Sequence, residues 1–400
     1  MTRPQTVQLY SKALANFVQR PLPGLQHVPA VLKYMLGLLF LINIRSWPLV
    51  WHYNVLIRPV YAIRIRWWKI WWRNVFASRT RIRELHSKFM RELCPVGEDP
   101  IGYTVSVSQW AGPDDCDFNW HLSNSSYPKQ LDAARFRAAL KICPTFYRVG
   151  GWTPLGATHF KFIREIPIFA RYEMRMSIAA WEDKWFYVVV RYVTKAKPKS
   201  DKPRKPHPKT TAPKPIPSGD HAPNPQMHTP VAPSGTTTPE RASTPSANAA
   251  ERIAATLPPE PDGATLHCVA VCELCFKIGR KTIPPALVLA MEGFSVPPPP
   301  ESALVQAGVT RYSQAHPPPA FARSLEMQAA DAPKGHLQTL QDFLVSGWER
   351  VPKGERFWEA ALGGEIEARR VRNLEAVKGV RLGMEGALTT YGQRVHIIQG

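Results

Sequence analysis

The 400-residue chain predicts an α+β domain in which a curled antiparallel sheet wraps around one central helix. Three observations carry that expectation. The elements follow in the order strand, polar loop, helix, then several strands. Tyr172, Met174, Met176 and Ile178 alternate with polar positions, and Phe186, Val188, Val190 and Tyr192 repeat the two-residue period of a strand. Leu131, Ala134, Ala138 and Ile142 recur three and four apart, the period of a helix with one buried face.

The chain begins polar and basic, and no Asp or Glu precedes Glu84. An apolar run from Val28 to Ile44 is interrupted only by Lys33 and Asn43, and is close to the minimum length for a membrane span. Lys33 lies near one end, where a long side chain can reach the interface. The run starts late and no small-residue cleavage site follows, which argues against a cleaved signal peptide. Six Trp then fall between Trp47 and Trp72, interleaved with Arg58, Arg64, Arg66, Lys69 and Arg73. Trp at headgroup level beside Arg and Lys suits an anionic membrane surface. The plainer alternative is a helix packed on the globular domain through its Trp face. The apolar run either spans the bilayer or lies in one leaflet. A span would leave the rest of the protein cytosolic, by the heavier positive charge on its C-terminal side. An acid-free, Arg-rich N-terminus also admits a mitochondrial address.

Ile101–Trp110 reads as a strand by its β-branched and aromatic content. Tyr127–Ile142 reads as a helix with Pro128 in its first turn, ended by Pro144 and Gly150–Gly151. Gly156–Ile166 is another strand, and Arg171–Lys195 gives two long strands around a turn at Glu182–Lys184. From Ala196 the strand pattern stops, and Pro, Ser, Thr and Lys dominate to Asp262, a composition that cannot form a core. Strand pattern returns at Thr265–Thr282. One sheet with a long insertion at a hairpin tip accounts for both halves, since loop-closure entropy rises slowly with length. The divisions are thus 1–83, a membrane anchor with its basic aromatic segment; 84–195, the first part of the domain; 196–262, a disordered Pro-rich insertion; 263–294, the last strand; and 295–400, a Pro/Ala-rich linker and helical tail.

The net charge of +20 implies phosphate-bearing partners. Its concentration in the aromatic N-terminal segment favours lipid. Neither zinc-finger spacing nor an RNA-recognition signature supports nucleic acid. The six Cys form no framework. Cys272 and Cys275 make a lone CxxC inside a strand-like run, which reads as buried reduced thiols, so no metal is expected.

The chemistry concentrates in Asp114–Tyr127, just before the helix. Unpaired N–H groups and the dipole at a helix start favour a developing oxyanion. A carboxylate beside them could activate water or attack a carbonyl itself. Asp115 and Asp117 supply carboxylates, His121 a base or donor, and Asn119 and Asn124 orienting amides. Each also has a structural reading. Asp115 could turn the loop and Asp117 cap a turn. His121 could be a satisfied core histidine, Tyr127 packing, and Asp132 a surface or interface charge.

The pattern D-x-D-x-N-x-H-x-x-N-x-x-Y followed by a helix resembles the hotdog-fold acyl thioesterases of the 4-hydroxybenzoyl-CoA thioesterase type, and the D-x-N-x-H loop of plant acyl-carrier-protein thioesterases. Asp115–Arg135, Phe160–Arg175 and Ala180–Val193 resemble more narrowly the thioesterase superfamily member six group, whose members carry an N-terminal hydrophobic anchor, and its fungal secondary-metabolite-cluster relatives. The likeness covers about residues 30–195 and 265–293. It implies the hotdog fold, a homodimer, no cofactor, and hydrolysis of acyl-CoA or acyl-carrier-protein thioesters at a membrane, with roles in lipid or secondary-metabolite biosynthesis. Position by position, Asp117 matches the catalytic carboxylate. Asn124 lies where the helix-start N–H meets the thioester oxygen, with Tyr127 beside it as a substrate contact. Asn119 and His121 match the amide and imidazole of the plant-type loop. The chain departs from the pattern at Ser123–Asn124, where Asn-Asn is usual, and around Thr153–His159, where no downstream Glu or Cys appears. A catalytically inactive acyl-binding or scaffold protein of the same fold is the alternative.

Overall fold

The computed structural model describes residues 29–195, 260–329 and 337–398. The apolar run forms helix α1 (Ala30–Ile42), with every side chain at least partly exposed. Asn43 ends it, its Nδ2 donating to Leu39 O at 3.0 Å. The chain then doubles back, so that Trp47 packs tilted against Phe40 with ring centroids 4.0 Å apart. Thirteen residues make a helix of about 20 Å, short of the ~30 Å hydrocarbon core. Among the described residues no helix is long and apolar enough to cross a membrane, so the expected transmembrane helix is not supported. Val28 lies outside the described residues.

A helical turn at Val50–His52 and a π turn at Tyr53–Ile57 lead into helix α2 (Arg58–Arg73). The widened turn coincides with Pro59, which has no N–H to offer Val55. Helix α3 (Arg79–Glu92) starts at Ser78, whose side chain caps Arg81 N–H.

The sheet is five-stranded and antiparallel, in the order β1 (Thr104–Trp110), β4 (Arg171–Trp181), β5 (Phe186–Thr194), β6 (Thr265–Leu274), β3 (Leu155–Phe162). The central helix α4 (Ser126–Ile142) turns Leu131, Ala134, Ala138 and Ile142 into the core, all under 5% exposed. Met174, Met176, Ile178, Val188 and Val190 meet it from the sheet. Both alternations expected along β4 and β5 are therefore core faces. Strands β5 and β6 pair from Phe186↔Leu274 to Thr194↔Thr265, so the chain re-enters the sheet beside the strand it left. Arg175 pins this junction, reaching Glu173, Glu260 and Asp262. Its guanidinium holds the Asp262 carboxyl down to about 2. The expected disordered insertion lies outside the described residues as far as residue 259.

Two expected boundaries differ. Pro144 does not simply end α4; it opens a short helix, α5 (Pro144–Arg148), because the buried Glu292 carboxylate accepts the Thr145 and Phe146 N–H groups. The single strand expected at Thr265–Thr282 is three. After β6 the chain leaves the large sheet, and β7 (Phe276–Ile278) pairs with β2 (Gly151–Trp152) and β8 (Lys281–Ile283). The positive φ of Gly279, 57°, allows the tight turn between β7 and β8.

The tail is not an appendage to the domain. Helices α6 (Pro285–Met291), α7 (Pro319–Met327), α8 (Gln338–Val345) and α9 (Phe357–Ala361) bring Leu287, Leu340, Leu344 and Trp358 into the same core. Helix α10 (Gly364–Ile398) lies over the outer face of the sheet. There Val377 packs with Ala179, Ala180 and Tyr187, and Arg370 and Asn373 donate to Trp181 O and Ala179 O.

Candidate active site

The loop before α4 is a closed turn. Cys116 and Leu122 face each other as an isolated antiparallel bridge, and Asp117 N–H donates to His121 O at 2.9 Å. Trp120 takes a left-handed backbone, φ 61°, at the tip. Asp117 Oδ1 accepts the Asn119 N–H at 2.9 Å and the His121 N–H at 3.4 Å, the geometry by which an Asp organises its own turn. Asp117 and Asn119 are exposed.

Asp115 points the other way. It is 3% exposed, and accepts hydrogen bonds from Lys129 Nζ and Gln130 Nε2, both at 2.9 Å. Its carbonyl accepts the Ser123 N–H at 2.9 Å. This residue ties both ends of the loop to α4. Lys129 also reaches Ser46 Oγ at 3.3 Å, so one ammonium joins the N-terminal segment, the loop and the helix.

His121 is half-buried, its Nδ1 3.0 Å from Glu165 Oε2, and it bridges Pro167 through its backbone. Glu165 was not singled out in the sequence; the bridge between the loop and the segment after β3 brings it there. Asn124 is exposed at the turn into α4. Tyr127 is different. It is 2% exposed, packed against Phe162 and Tyr192, and its carbonyl accepts the Tyr192 hydroxyl at 3.0 Å. Burial pushes its phenol well above the usual range. Its side chain is core, not the surface of a binding site, as a helix-start position one turn before Leu131 requires.

Beside α4 lies a cavity of about 470 Å³, within the range of small-molecule sites. Its helix wall is Asp132, Arg135, Phe136 and Ala139, a stripe spaced three and four apart, together with Ala138 and Ile142 of the core stripe. The sheet contributes Met176, Val188 and Leu274, and the N-terminal segment Trp51 and Val55. The wall is almost wholly apolar. Its polar groups are few: Asp132 ion-pairs with Arg135, Arg135 Nη1 reaches Thr158 Oγ1 at 3.3 Å, and Tyr147 and Thr153 share a 2.5 Å hydrogen bond. Asp132, expected as a surface or interface charge, lines this wall, and the stripe it begins is the sequence signal for it. Larger hollows of about 830 and 890 Å³ lie against α2 and α3, away from the loop and the sheet. The cavity and the Asp117 loop are not one pocket: none of Asp117, Asn119, His121 or Asn124 lines it. They are linked through α4, whose first residue, Ser126, stands about 9 Å along the axis from Asp132. Cys272 and Cys275 are buried, and burial raises both thiols.

A family model described as the thioesterase-like superfamily matches residues 111–202. A protein of Saccharomyces cerevisiae described as a probable thioesterase is 33% identical over 98 residues, 24% of this chain and 42% of the relative. Thioesterase poxG of Penicillium oxalicum is 28% identical over 170 residues, 38% of this chain and 50% of the relative. Protein THEM6 of Xenopus laevis is 29% identical over 83 residues, 20% of this chain and 40% of the relative. The chain spans half or less of the length of these relatives. Among solved structures, 4-hydroxybenzoyl CoA thioesterase from Pseudomonas sp. strain CBS-3 aligns over 46% of this chain and 93% of its own, at 14% identity and a TM-score of 0.27. Residues 111–202, which hold the Asp117 loop and α4, are thus similar to the thioesterase-like superfamily.

Proposed function

We propose that the protein hydrolyses acyl thioesters, with an acyl chain lying along α4 and the Asp117 loop meeting the thioester. The observation that carries this reading is the apolar cavity on the same helix whose start is built by the loop. The turn orients Asp117 through Oδ1, which leaves Oδ2 as the oxygen to take a proton from water or to attack the carbonyl. The Asn124 N–H at the turn into α4 would hold the oxyanion, and His121, beside Glu165, with Asn119 would orient water. Acyl-CoA and acyl-carrier protein both fit this chemistry, in lipid or secondary-metabolite synthesis.

The protein works as a homodimer in this reading. Strand β3 ends the sheet, with most of its residues exposed, among them Leu155 and Phe162. An uncovered edge of this kind pairs readily with a second copy. The reading also places the protein on a membrane, facing the cytosol. The exposed apolar side chains of α1 and α2, with Arg58, Arg64, Arg66 and Lys69, support an in-plane anchor.

The deciding assay is thiol release by the full chain from acyl-CoAs of graded length, beside Asp117→Asn. Loss of about a hundredfold or more in the variant, with unchanged circular dichroism, is expected. Equal rates would remove Asp117 from the mechanism. One observation favours the rival reading, an acyl-binding protein without turnover: Asp117 Oδ1 already serves two backbone N–H groups. That reading predicts acyl-CoA binding with no thiol release.

A further inference from the structure

We infer that the N-terminal segment forms a portal, through which a bilayer-dissolved acyl chain passes sideways into the cavity without crossing water. The inference rests on the acyl-binding role proposed for that cavity, and names its substrate class: thioesters whose acyl chain resides in the membrane.

The cavity wall has two origins. Most of it comes from α4 and the sheets, but Trp51 and Val55 come from the segment before α2. They stand four residues apart and so share one helical face. Val55 is 7% exposed and seals the inside, while Trp51, 41% exposed, stands at the rim. The other faces of this short stretch point outward, with Leu49, Tyr53, Leu56 and Ile57 about half exposed or more. One helical segment therefore touches the cavity on one side and presents apolar side chains to the surroundings on the other. Across the rim, Trp152 and Leu155 are also half exposed, which makes the mouth itself apolar.

The backbone of this segment is irregular, in part because Pro59 offers no N–H to Val55. Leu49 has a left-handed φ of 66°, and Tyr53–Ile57 is a π turn. Irregular backbone of this kind recurs at functional sites. The segment is also coupled to the reacting end. Lys129 holds Ser46 with one hydrogen bond and the buried Asp115 with another, so a shift of the segment is felt by the loop.

The test uses the full chain on phosphatidylcholine vesicles containing phosphatidylserine and a photoactivatable palmitoyl lipid. Illumination is expected to label peptides containing Trp51–Val55 and peptides from Asp132–Ile142. Val55→Trp, which fills the mouth, should cut the label on Asp132–Ile142 by about tenfold while vesicle co-sedimentation stays the same. Should that variant fail to fold, Ala139→Leu narrows the cavity from the opposite wall and should do the same. Absence of label on Asp132–Ile142 in the wild type, or undiminished label in a folded variant, overturns the portal. Thiol release from palmitoyl-CoA is measured on the same samples. Correct labelling without thiol release leaves the portal standing and ends the hydrolase reading; thiol release without cavity labelling does the reverse.

Discussion

Asp115 and Asp117 are two positions apart and have opposite surroundings. Asp115 is buried against Lys129 and Gln130, and its loss would remove the hydrogen bond each donates to it. Asp115→Ala should therefore cost about 1–3 kcal/mol, read from urea midpoints, whereas Asp117→Asn at the exposed turn should change stability by less than about 1 kcal/mol. Equal costs would mean that both acids are structural. Glu292 makes a second residue-scale prediction. Burial pushes its carboxyl up to about 7, although the Phe146 and Thr145 N–H groups pull the other way. The folded state thus holds a proton that the unfolded chain, near 4.5, releases. Its stabilising share is full below about pH 4.5 and is lost as pH rises through about 7, a change of a few kcal/mol. Glu292→Gln should flatten the pH dependence of the urea midpoint across that window; an unchanged slope would assign it to other groups.

At the scale of elements, helix α10 shows what the charge pattern of the tail is for. Its cations bind the end of β4 and the turn after it: Arg370 donates to Trp181 O at 2.6 Å, and Arg381 meets Glu182 at 3.2 Å and the Tyr187 hydroxyl at 3.1 Å. Beyond Ile366, which its first turn buries in the main core, its apolar share is small, chiefly Val377 and Leu374 over Ala180 and Tyr187. A helix held by so little apolar area opens before the core does. Val377→Asp should speed amide exchange along the first half of α10 and at Ala179–Trp181, while the amides of Met174 and Val190 keep their protection. Uniform acceleration would show that α10 is integral to the global fold. The sequence displayed the helix but not its seat. Its mixed charge does not name a partner until β4 and β5 have presented their outer face.

At the scale of the whole molecule, apolar surface is partitioned between two uses. One part closes the core from Val105 to Ile366, and the other stays exposed on α1, α2 and the turns between them, with Phe76 fully exposed. This patch, interleaved with Arg and Lys, is the surface on which the proposed membrane contact rests. Reversing Arg64, Arg66 and Lys69 to Glu should weaken co-sedimentation with phosphatidylserine vesicles by about 1 kcal/mol per removed cation, and more at low salt than at high. Binding indifferent to those charges would leave only the apolar contribution, or a protein partner.

The sequence by itself determined what depends on local period and on residue type. The strands β4 and β5, the buried stripe of α4, the concentration of acid, amide and imidazole at Asp114–Tyr127, and the likeness to thioesterases were all legible there. The reason is that alternation and helical spacing are imposed by backbone geometry before any tertiary contact forms. Only the tertiary structure decided which of two neighbouring acids is buried, since Asp115 meets Lys129 and Gln130 across a loop closure that no spacing rule describes. It also moved Tyr127 into the core and brought Glu165 to His121. It placed Trp51 and Val55 in the wall of a cavity on a helix some eighty residues away. Those pairings are set by how elements pack, and packing is a property of surfaces that exist only once the chain has folded.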